Sequence, residues 1–250
     1  MMIKSRNIKR IAIAAVSVLI WLLIWEIFAL ALNKTYIFPG AIATFAAFFK
    51  LIVQLNFWKT VTVSILRIIV GYLLGIIFAI ILVFLCKALP FIRSFISIGM
   101  TVIKSTPVAS IIMLLWVLIG SSVLPVIIGL LMVCPIIWQN LMNGLDAIDK
   151  DLYEVTTVFN FTKEKRFKLL IIPTILNYFI PAALTSVGLA WKSGIAAEII
   201  SYSKISIGKY IHDAKVYFEG DVLLSWTITI VIISLLFELA IKKILGRINK

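Results

Sequence analysis

The sequence predicts an all-α protein that crosses a membrane with about six helices. Hydrophobic residues make up 62% of the 250 residues, charged residues make up 14%, and the mean hydropathy is +1.13. Soluble domains are closer to half apolar and a quarter charged, and a core of this size cannot hide so many apolar side chains from water. The apolar residues also fall into six runs of about 20 residues, the length that a helix needs to cross a bilayer. Soluble enzymes, disordered chains and fibrous proteins are therefore excluded.

Each predicted span is a mostly apolar stretch between polar or turn residues. The spans are residues 11–32, 61–85, 97–119, 123–142, 177–200 and 222–241. A tight turn, Gly120-Ser121-Ser122, separates the third span from the fourth. The apolar stretch 41–55 is too interrupted for a confident span and predicts an interfacial helix. We interpret residues 1–250 as one transmembrane domain.

The net charge of +13 predicts the orientation of the chain. With both termini in the cytoplasm, fifteen Lys and Arg residues lie inside and six lie outside. This excess is the pattern that positively charged cytoplasmic loops produce. In a soluble protein such a charge would suggest nucleic-acid binding. Here the basic residues are spread over several loops, so we expect no nucleic-acid partner.

Residues 144–172 form the one long polar stretch predicted inside, with five acidic and five basic side chains. The pattern predicts two short helices. Asp149 or Asp151 can cap the first, and Thr162 can cap the second. Asn160 between them can adopt the left-handed conformation that ends a helix. Pro173 is expected to bend the chain into the fifth span.

The first of these helices carries an apolar stripe, because Leu152, Val155 and Phe159 fall at positions i, i+3 and i+7. Two interpretations stay open on this pattern alone. The loop could be a connector that packs on the face of the bilayer. Alternatively, it could be a docking element for a soluble partner.

The chain shows no pattern for chemistry of its own. No phosphate-binding G-x-x-x-x-G-K-[ST] motif is present, since Gly208-Lys209 lacks the earlier glycine and the Ser or Thr. The single histidine, His212, has no catalytic neighbours in the sequence, and we expect it at the surface. Cys86 and Cys134 lie in or beside apolar runs without metal-ligand spacing, so we expect buried thiols, no metal site and no catalytic residue.

Four blocks of the sequence resemble one family. Glu154-Val155-Thr156, Asn160, Phe167 and Ile172-Pro173 resemble the EAA loop of bacterial ABC importer permeases, with Val, Thr and Asn in place of Ala, Ala and Gly. The other three blocks resemble the nitrate, sulfonate and taurine branch of these permeases. They are Thr60 to Tyr72, with Ser64, Arg67 and Gly71; Lys104 to Gly120, with Thr106-Pro107 and Leu115-Trp116; and Ala190-Trp191 with Ala197-Glu198.

The resemblance implies a transport subunit that is not an enzyme. Such permeases form homodimers, receive substrate from an extracellular solute-binding protein, and are driven by two cytoplasmic ATPase subunits that hold ATP and magnesium. This chain then needs no cofactor of its own. The loop that couples to the ATPase is expected to use Asp151, Leu152, Glu154, Val155, Phe159, Asn160, Phe167 and Pro173.

Small residues at spacing four predict close helix packing, within the subunit or at a dimer seam. They are Gly71 and Gly75 in the second span, and Ala182, Ser186, Ala190 and Gly194 in the fifth. The fifth-span ladder is the better candidate for the seam, because it leads directly from the coupling loop.

Charges at bilayer depth suggest function by default. Arg67 is expected in an ion pair or on backbone carbonyls, and Lys104 on carbonyls freed by Pro107. Lys192 could attract an anionic substrate, pair with Glu198 or Glu26, or extend toward the bilayer surface. We take Lys192, Ser186, Trp191 and Glu198 as candidates for the substrate pathway.

The expected substrate is a small polar solute, in particular an anion such as a sulfonate, taurine or nitrate. Relatives of this branch import a pyrimidine precursor of thiamine, which is the alternative of the same type. An ion-coupled secondary carrier is the alternative of another class, although no inverted repeat is evident. A membrane scaffold and an intramembrane enzyme fit the four blocks less well. We expect a multi-pass protein of the bacterial inner membrane.

Overall fold

The computed structural model describes residues 2–34 and 36–248, and every regular element in them is helical. The helices are α1 Met2–Leu32, α2 Ala41–Ile52, α3 Leu55–Ala88, α4 Pro90–Ser105, α5 Val108–Ile119, α6 Leu124–Asp146, α7 Lys150–Val158, α8 Lys163–Arg166, a π-helical segment Phe167–Ile171, α9 Ile172–Ser201, α10 Ile207–Val216 and α11 Gly220–Ile248. The predicted domain 1–250 includes residues 1, 35, 249 and 250, and the charge count includes Lys250; these lie outside the described residues.

Five helices are long and apolar enough to cross a membrane, and a bent helix pair adds a sixth crossing if it counts as one span. The five are Ile13–Leu32, Leu55–Ala88, Leu124–Asp146, Lys163–Ser201 and Gly220–Gly246. The prediction of an all-α chain with about six candidate spans is therefore confirmed. The apolar stretch predicted at 41–55 is the helix α2.

The third predicted span is bent near Pro107, the proline that was expected to free carbonyls within it. Residues 97–119 belong to α4 and α5, which meet at an angle of 102°. Thr106 is extended, with ψ 131°, as expected of a residue that precedes a proline. Lys104 was expected to bind the carbonyls freed here, but it makes no hydrogen bond within the described residues. The Thr106 hydroxyl donates to the Val102 carbonyl instead, at 2.7 Å.

Contacts at both ends of α6 show how the bent pair runs. Near the start of α4, the Arg93 Nη1 donates to the Asp146 Oδ1 at 3.0 Å, and Asp146 is the last residue of α6. At the other end, only the turn Gly120–Val123 separates α5 from the start of α6, with Gly120 at φ 72°. The pair α4–α5 thus begins beside one end of α6 and finishes at the other. This course favours a broken span over a re-entrant loop.

By packing, the chain divides into two compact units. The first comprises the described residues up to Lys59 together with Tyr210–Val231. Its centre is Trp226, which is 1% exposed and lies between the rings of Phe57 and Tyr210, with centroids at 5.0 and 5.1 Å. In the same unit the Glu26 carboxylate accepts a hydrogen bond from the Ile42 backbone N–H at 3.2 Å. A span-embedded carboxylate that the sequence left unexplained therefore caps the start of α2.

The second unit comprises Thr60–Lys209 and the described residues from Ile232 onward. In this unit α6 and α9 pack extensively on each other. A buried apolar cluster lies where α5, α6 and α9 meet; it consists of Ile112, Leu124, Ile128, Met132 and Ala197. Cys86 and Cys134 are free thiols and are buried in this unit, as the sequence predicts.

Glycine and alanine ridges allow the helices of this unit to approach closely. A methyl group on Gly71 would lie 2.6 Å from the Val126 carbonyl oxygen, and one on Gly75 would lie 2.7 Å from Cβ of Val133. Because both neighbours belong to α6, this GxxxG pair packs α3 on α6. The ladder of α9 is also buried within the chain; its members are Ala182, Ser186, Ala190 and Gly194. A ladder buried in this way packs the subunit's own helices, which is one of the two arrangements that the spacing predicts.

Candidate functional site

The predicted coupling loop folds as two capped helices. The Asp149 carboxylate accepts hydrogen bonds from the backbone N–H groups of Asp151 and Leu152 at 2.8 and 3.2 Å, and so caps α7. Thr162 caps α8 by accepting from the Lys165 N–H at 3.3 Å. Asn160 lies between them at φ 51°, in the left-handed region. The predicted helix pair, its caps and its asparagine turn are confirmed.

A second set of contacts fixes α8 against α7. Arg166 donates from Nη1 to the Tyr153 hydroxyl at 3.0 Å and from Nη2 to the Thr157 hydroxyl at 3.1 Å. The guanidinium carbon lies 4.4 Å from the centroid of the Tyr153 ring, in cation–π geometry. The loop therefore has a defined shape of its own, which a flexible connector does not need.

The outward face of this loop is apolar. Leu152, Val155 and Phe159 are 52%, 48% and 71% exposed. Glu154 is exposed beside them and makes no hydrogen bond or ion pair with any described residue. Asp151 is also exposed, in the first turn of α7. Apolar side chains presented together on an ordered polar loop are typical of a surface that a partner covers.

Phe167 and Pro173 lie where the loop joins α9. Phe167 begins the π-helical segment, in which the Ile172 N–H bonds to the Phe167 carbonyl. Pro173 follows in the first turn of α9, and the helix continues through it instead of ending. The wider π turn accommodates a proline ring that an α turn would exclude. Phe167 also lines an apolar cavity of about 270 Å³ with residues of α3, α6 and α9.

A second candidate site lies near the far end of α9, around Glu198. This side chain is 0% exposed. Its Oε2 accepts hydrogen bonds from the Ser64 hydroxyl at 2.8 Å and from the Gly208 N–H at 3.3 Å. Its Oε1 lies 3.5 Å from Nη1 of Arg67. A carboxylate buried among apolar helices is costly unless it is paired, and Arg67 and Ser64 on α3 supply the partners.

Arg67 also binds the backbone that follows α9. Its Nη1 donates to the Ile205 carbonyl at 3.3 Å and its Nη2 to the Lys204 carbonyl at 3.1 Å. The prediction that Arg67 forms an ion pair or binds carbonyls is confirmed in both forms. Lys192, by contrast, is not the partner of Glu198.

The other candidates for the substrate pathway differ in their burial. Ser186 and Trp191 are buried, at 0% and 1% exposure. Lys192 is exposed on α9 and makes no ion pair with any residue that the structure describes. The structure thus brings Glu198 together with Arg67 and Ser64, and it leaves Lys192 on the surface of the same helix.

Two contacts between side chains were not predicted from the sequence. Ser64 and Glu198 are 134 positions apart, and Arg93 and Asp146 are 53 apart. For the first pair a signal existed, since both residues lie in blocks that resemble the same family. For the second pair the sequence carries no such signal.

These features define a class of protein. Five or six apolar candidate spans, together with an ordered polar loop that has an exposed apolar face, are typical of a membrane transport protein. The chain belongs to the family described as the binding-protein-dependent transport system inner membrane component, which matches residues 71–250. The family description names an inner-membrane component of a transport system, and the apolar candidate spans fit a multi-pass protein of the bacterial inner membrane. The same description names dependence on a binding protein.

Relatives with assigned names support the branch that the sequence blocks indicate. The bicarbonate transport system permease protein CmpB of Synechocystis sp. is 35% identical over 81 residues, which are 31% of this chain and 29% of that protein. CmpB of Synechococcus elongatus is 30% identical over 36% of this chain and 34% of that protein. The chain therefore matches about a third of the length of these two relatives. SsuC of Bacillus subtilis, named for aliphatic sulfonate transport, is 22% identical over 79% of this chain and 72% of that protein.

A solved structure shares the fold. It is a chain in the crystal structure of a bacterial ABC transporter involved in the import of the acidic polysaccharide alginate. The TM-score is 0.58 at 17% identity, over 98% of this chain and 99% of that chain. This likeness supports the helical architecture and says nothing about substrate.

Proposed function

We propose that this chain is the transmembrane subunit of an importer for a small anion, that two copies form the pathway, and that a separate ATPase chain drives it through the α7–α8 loop. The observation that carries the proposal is the ordered loop with its exposed apolar face. Leu152, Val155 and Phe159 are fixed in place by the caps of α7 and by Arg166. A preformed apolar face of this kind binds a partner without a large ordering cost.

The loop is also connected mechanically to the membrane. The helical run Lys163–Ser201 is continuous from α8 through the π segment to the end of α9. A push on α8 is therefore transmitted into a span and is not absorbed in a flexible linker. Glu154 and Asp151 add exposed negative charge beside the apolar face, which favours a socket with basic groups on the partner.

An anionic substrate is supported by two observations. The relatives with assigned names are named for bicarbonate and aliphatic sulfonate transport, and both solutes are anions. Lys192 is exposed on α9 without an ion pair among the described residues, so its charge is available. Taurine and nitrate fit the same chemistry. A pyrimidine precursor of thiamine is the alternative within this type of importer.

Reconstitution tests the proposal. The chain is placed in proteoliposomes with its ATPase and solute-binding protein, and uptake of labelled taurine, nitrate, bicarbonate and an alkanesulfonate is compared with that of a labelled pyrimidine. We expect uptake of one of the anions, dependent on ATP hydrolysis. Uptake driven by an ion gradient without ATP would establish the secondary carrier instead. Pyrimidine uptake alone would overturn the anion assignment.

The number of copies is measured in the same preparation. Native mass spectrometry of the assembled complex is expected to show two permease chains and two ATPase chains. A complex with two different permease chains would contradict the homodimer.

A further inference from the structure

Two blocks of sequence that the coupling loop does not use meet at one place in the structure. Ser64 and Arg67 come from α3, and Glu198 comes from α9. The contacts around them continue into the next segment, because the Ser64 hydroxyl also accepts from the Ile207 N–H at 3.0 Å. We call Ser64, Arg67 and Glu198 the α3–α9 clamp. It joins two spans to the start of α10.

The segment that the clamp holds, residues 202–206, is strained. Tyr202 and Ile205 both have positive φ, at 53° and 47°. A β-branched residue such as Ile rarely adopts this conformation, and it persists only where the surroundings impose it. Arg67 binds the Ile205 carbonyl directly. A further anchor is the Ser203 hydroxyl, which donates to the Ser121 carbonyl at 2.7 Å.

The position of the clamp on α9 relates it to coupling. The continuous helix from Lys163 to Ser201 has the α7–α8 loop at one end and Glu198, one turn from its end, at the other. We propose that the α3–α9 clamp is a positioning site that keeps the strained segment 202–206 in place. Through it, movement of α9 at the coupling loop is transmitted to this segment at the opposite end of the span. This proposal rests on the proposed function.

Burial separates this role from substrate binding. Glu198 is 0% exposed, while the Arg67 side chain is 19% exposed. A substrate cannot contact the Glu198 carboxylate in this structure, because the side chain is fully buried and its oxygens face Ser64, Gly208 and Arg67. Because both Glu198 oxygens face protein groups, the carboxylate acts through Arg67 and the backbone.

The two oxygens of Glu198 make a selective test possible. Oε2 accepts both neutral hydrogen bonds, from Ser64 and Gly208, whereas Arg67 is the one described partner of Oε1. Glu198→Gln can retain the two bonds at Oε2 while its NH₂ group faces Arg67 without attraction. Arg67→Met removes the other partner and the two backbone contacts. Asp146→Asn is the matched control, since it removes an ion pair from the same unit that does not contact segment 202–206.

The measurement uses a thiol introduced by Ser206→Cys, because Ser206 is buried in the held segment, so that the thiol becomes reactive only when the segment is released. Both native cysteines are buried as well. Maleimide labelling is timed for the permease alone in nanodiscs. We expect Glu198→Gln and Arg67→Met each to accelerate labelling by about tenfold, as a locally released segment does. The double variant should be labelled only slightly faster than the faster single variant, because the two substitutions remove the same interaction. Asp146→Asn should leave the rate unchanged.

The second readout is phosphate release by the complex with its ATPase, with and without the solute-binding protein. We expect Glu198→Gln to keep the basal ATPase rate within about twofold of wild type while it loses stimulation by the binding protein. Unchanged labelling in Glu198→Gln overturns the clamp, and so does equal labelling in Asp146→Asn. If Arg67→Met does not fold, Ser64→Ala replaces it. A wild-type complex without any stimulation counts against the proposed function, while the labelling result still decides the clamp.

Discussion

Gly194 of α9 lies directly against Ile68 of α3. A methyl group on Gly194 would be 2.7 Å from Cγ1 of Ile68 and 3.2 Å from its Cδ1. Ile68 is 0% exposed, so its side chain has little room to move away. The two spans that carry the clamp are thus also held together by a glycine contact one turn before Glu198.

This contact predicts that Gly194→Ala destabilises the protein by about 1–3 kcal/mol, the usual effect of overpacking. Gly188→Ala is the control on the same helix, because a methyl group there would meet nothing within 4 Å. Thermal unfolding in detergent should show a lower midpoint for Gly194→Ala only. Combination with Ile68→Ala should restore part of the loss, and equal midpoints for the two glycine variants would show that the contact is not tight.

Phe159→Asp should release the ATPase or uncouple it. Phe159 is the most exposed of the three stripe residues Leu152, Val155 and Phe159. A charged side chain in its place would have to lose its bound water to enter an apolar socket on the partner, which is costly. Glu154→Lys should act in the same direction by reversing the local charge. Co-purification of the ATPase and ATP-dependent uptake are measured for both variants.

Tyr217→Asp is the control for these substitutions, since Tyr217 is 72% exposed and lies between α10 and α11, on the side predicted to face outward. It should leave ATPase binding intact. Normal co-purification and normal uptake in both loop variants would remove the loop from the coupling role.

Arg166→Met should loosen the coupling loop without altering its exposed face. The substitution removes two hydrogen bonds and the cation–π contact with Tyr153. Together these are worth on the order of 1–2 kcal/mol, so the amides of α7 should exchange about tenfold faster. Lys163→Met is the control on the same short helix, since Lys163 has no described partner. Hydrogen exchange of the α7 amides is measured by mass spectrometry for Arg166→Met and Lys163→Met. Equal exchange rates in the two variants would mean that α7 is ordered by other contacts.

If the bent pair α4–α5 crosses the membrane, its two ends face opposite sides. Ser94 lies near the start of α4 and Ser122 lies in the turn after α5, and both are exposed. Single cysteines at these positions should react with a membrane-impermeant maleimide from opposite sides of the membrane. Glu164→Cys in α8 should react from the same side as Ser94→Cys. Labelling of Ser94→Cys and Ser122→Cys from one side would make α4–α5 a re-entrant loop.

Local chemistry allowed much of this fold to be predicted. The spans follow from apolar length, and the cap at Thr162 and the left-handed turn at Asn160 follow from side chains that act on their own backbone. The effect of Pro107 was harder to predict, because a proline within an apolar run is compatible with a kinked span or with two separate helices. Only the structure shows the angle of 102°.

The candidate sites divide in the same way. The coupling loop is local in sequence, so its helices and exposed stripe could be predicted. The contact between Ser64 and Glu198 depends on the rotation and register of two spans. Apolar spans present similar faces all round, and their pairing is set by close packing at a few small residues such as Gly194. Lys192 was therefore considered as a partner of Glu198 when the actual partner lies on α3.

The π turn at Phe167–Ile171 adds one residue to the helix between the loop and the span. Because each residue of an α-helix advances about 100° around the axis, a return to regular α geometry would rotate α8 by about that angle relative to α9. The exposed stripe of α7 would swing with it, through Arg166. The type of helix at this junction thus determines the direction in which the exposed stripe faces.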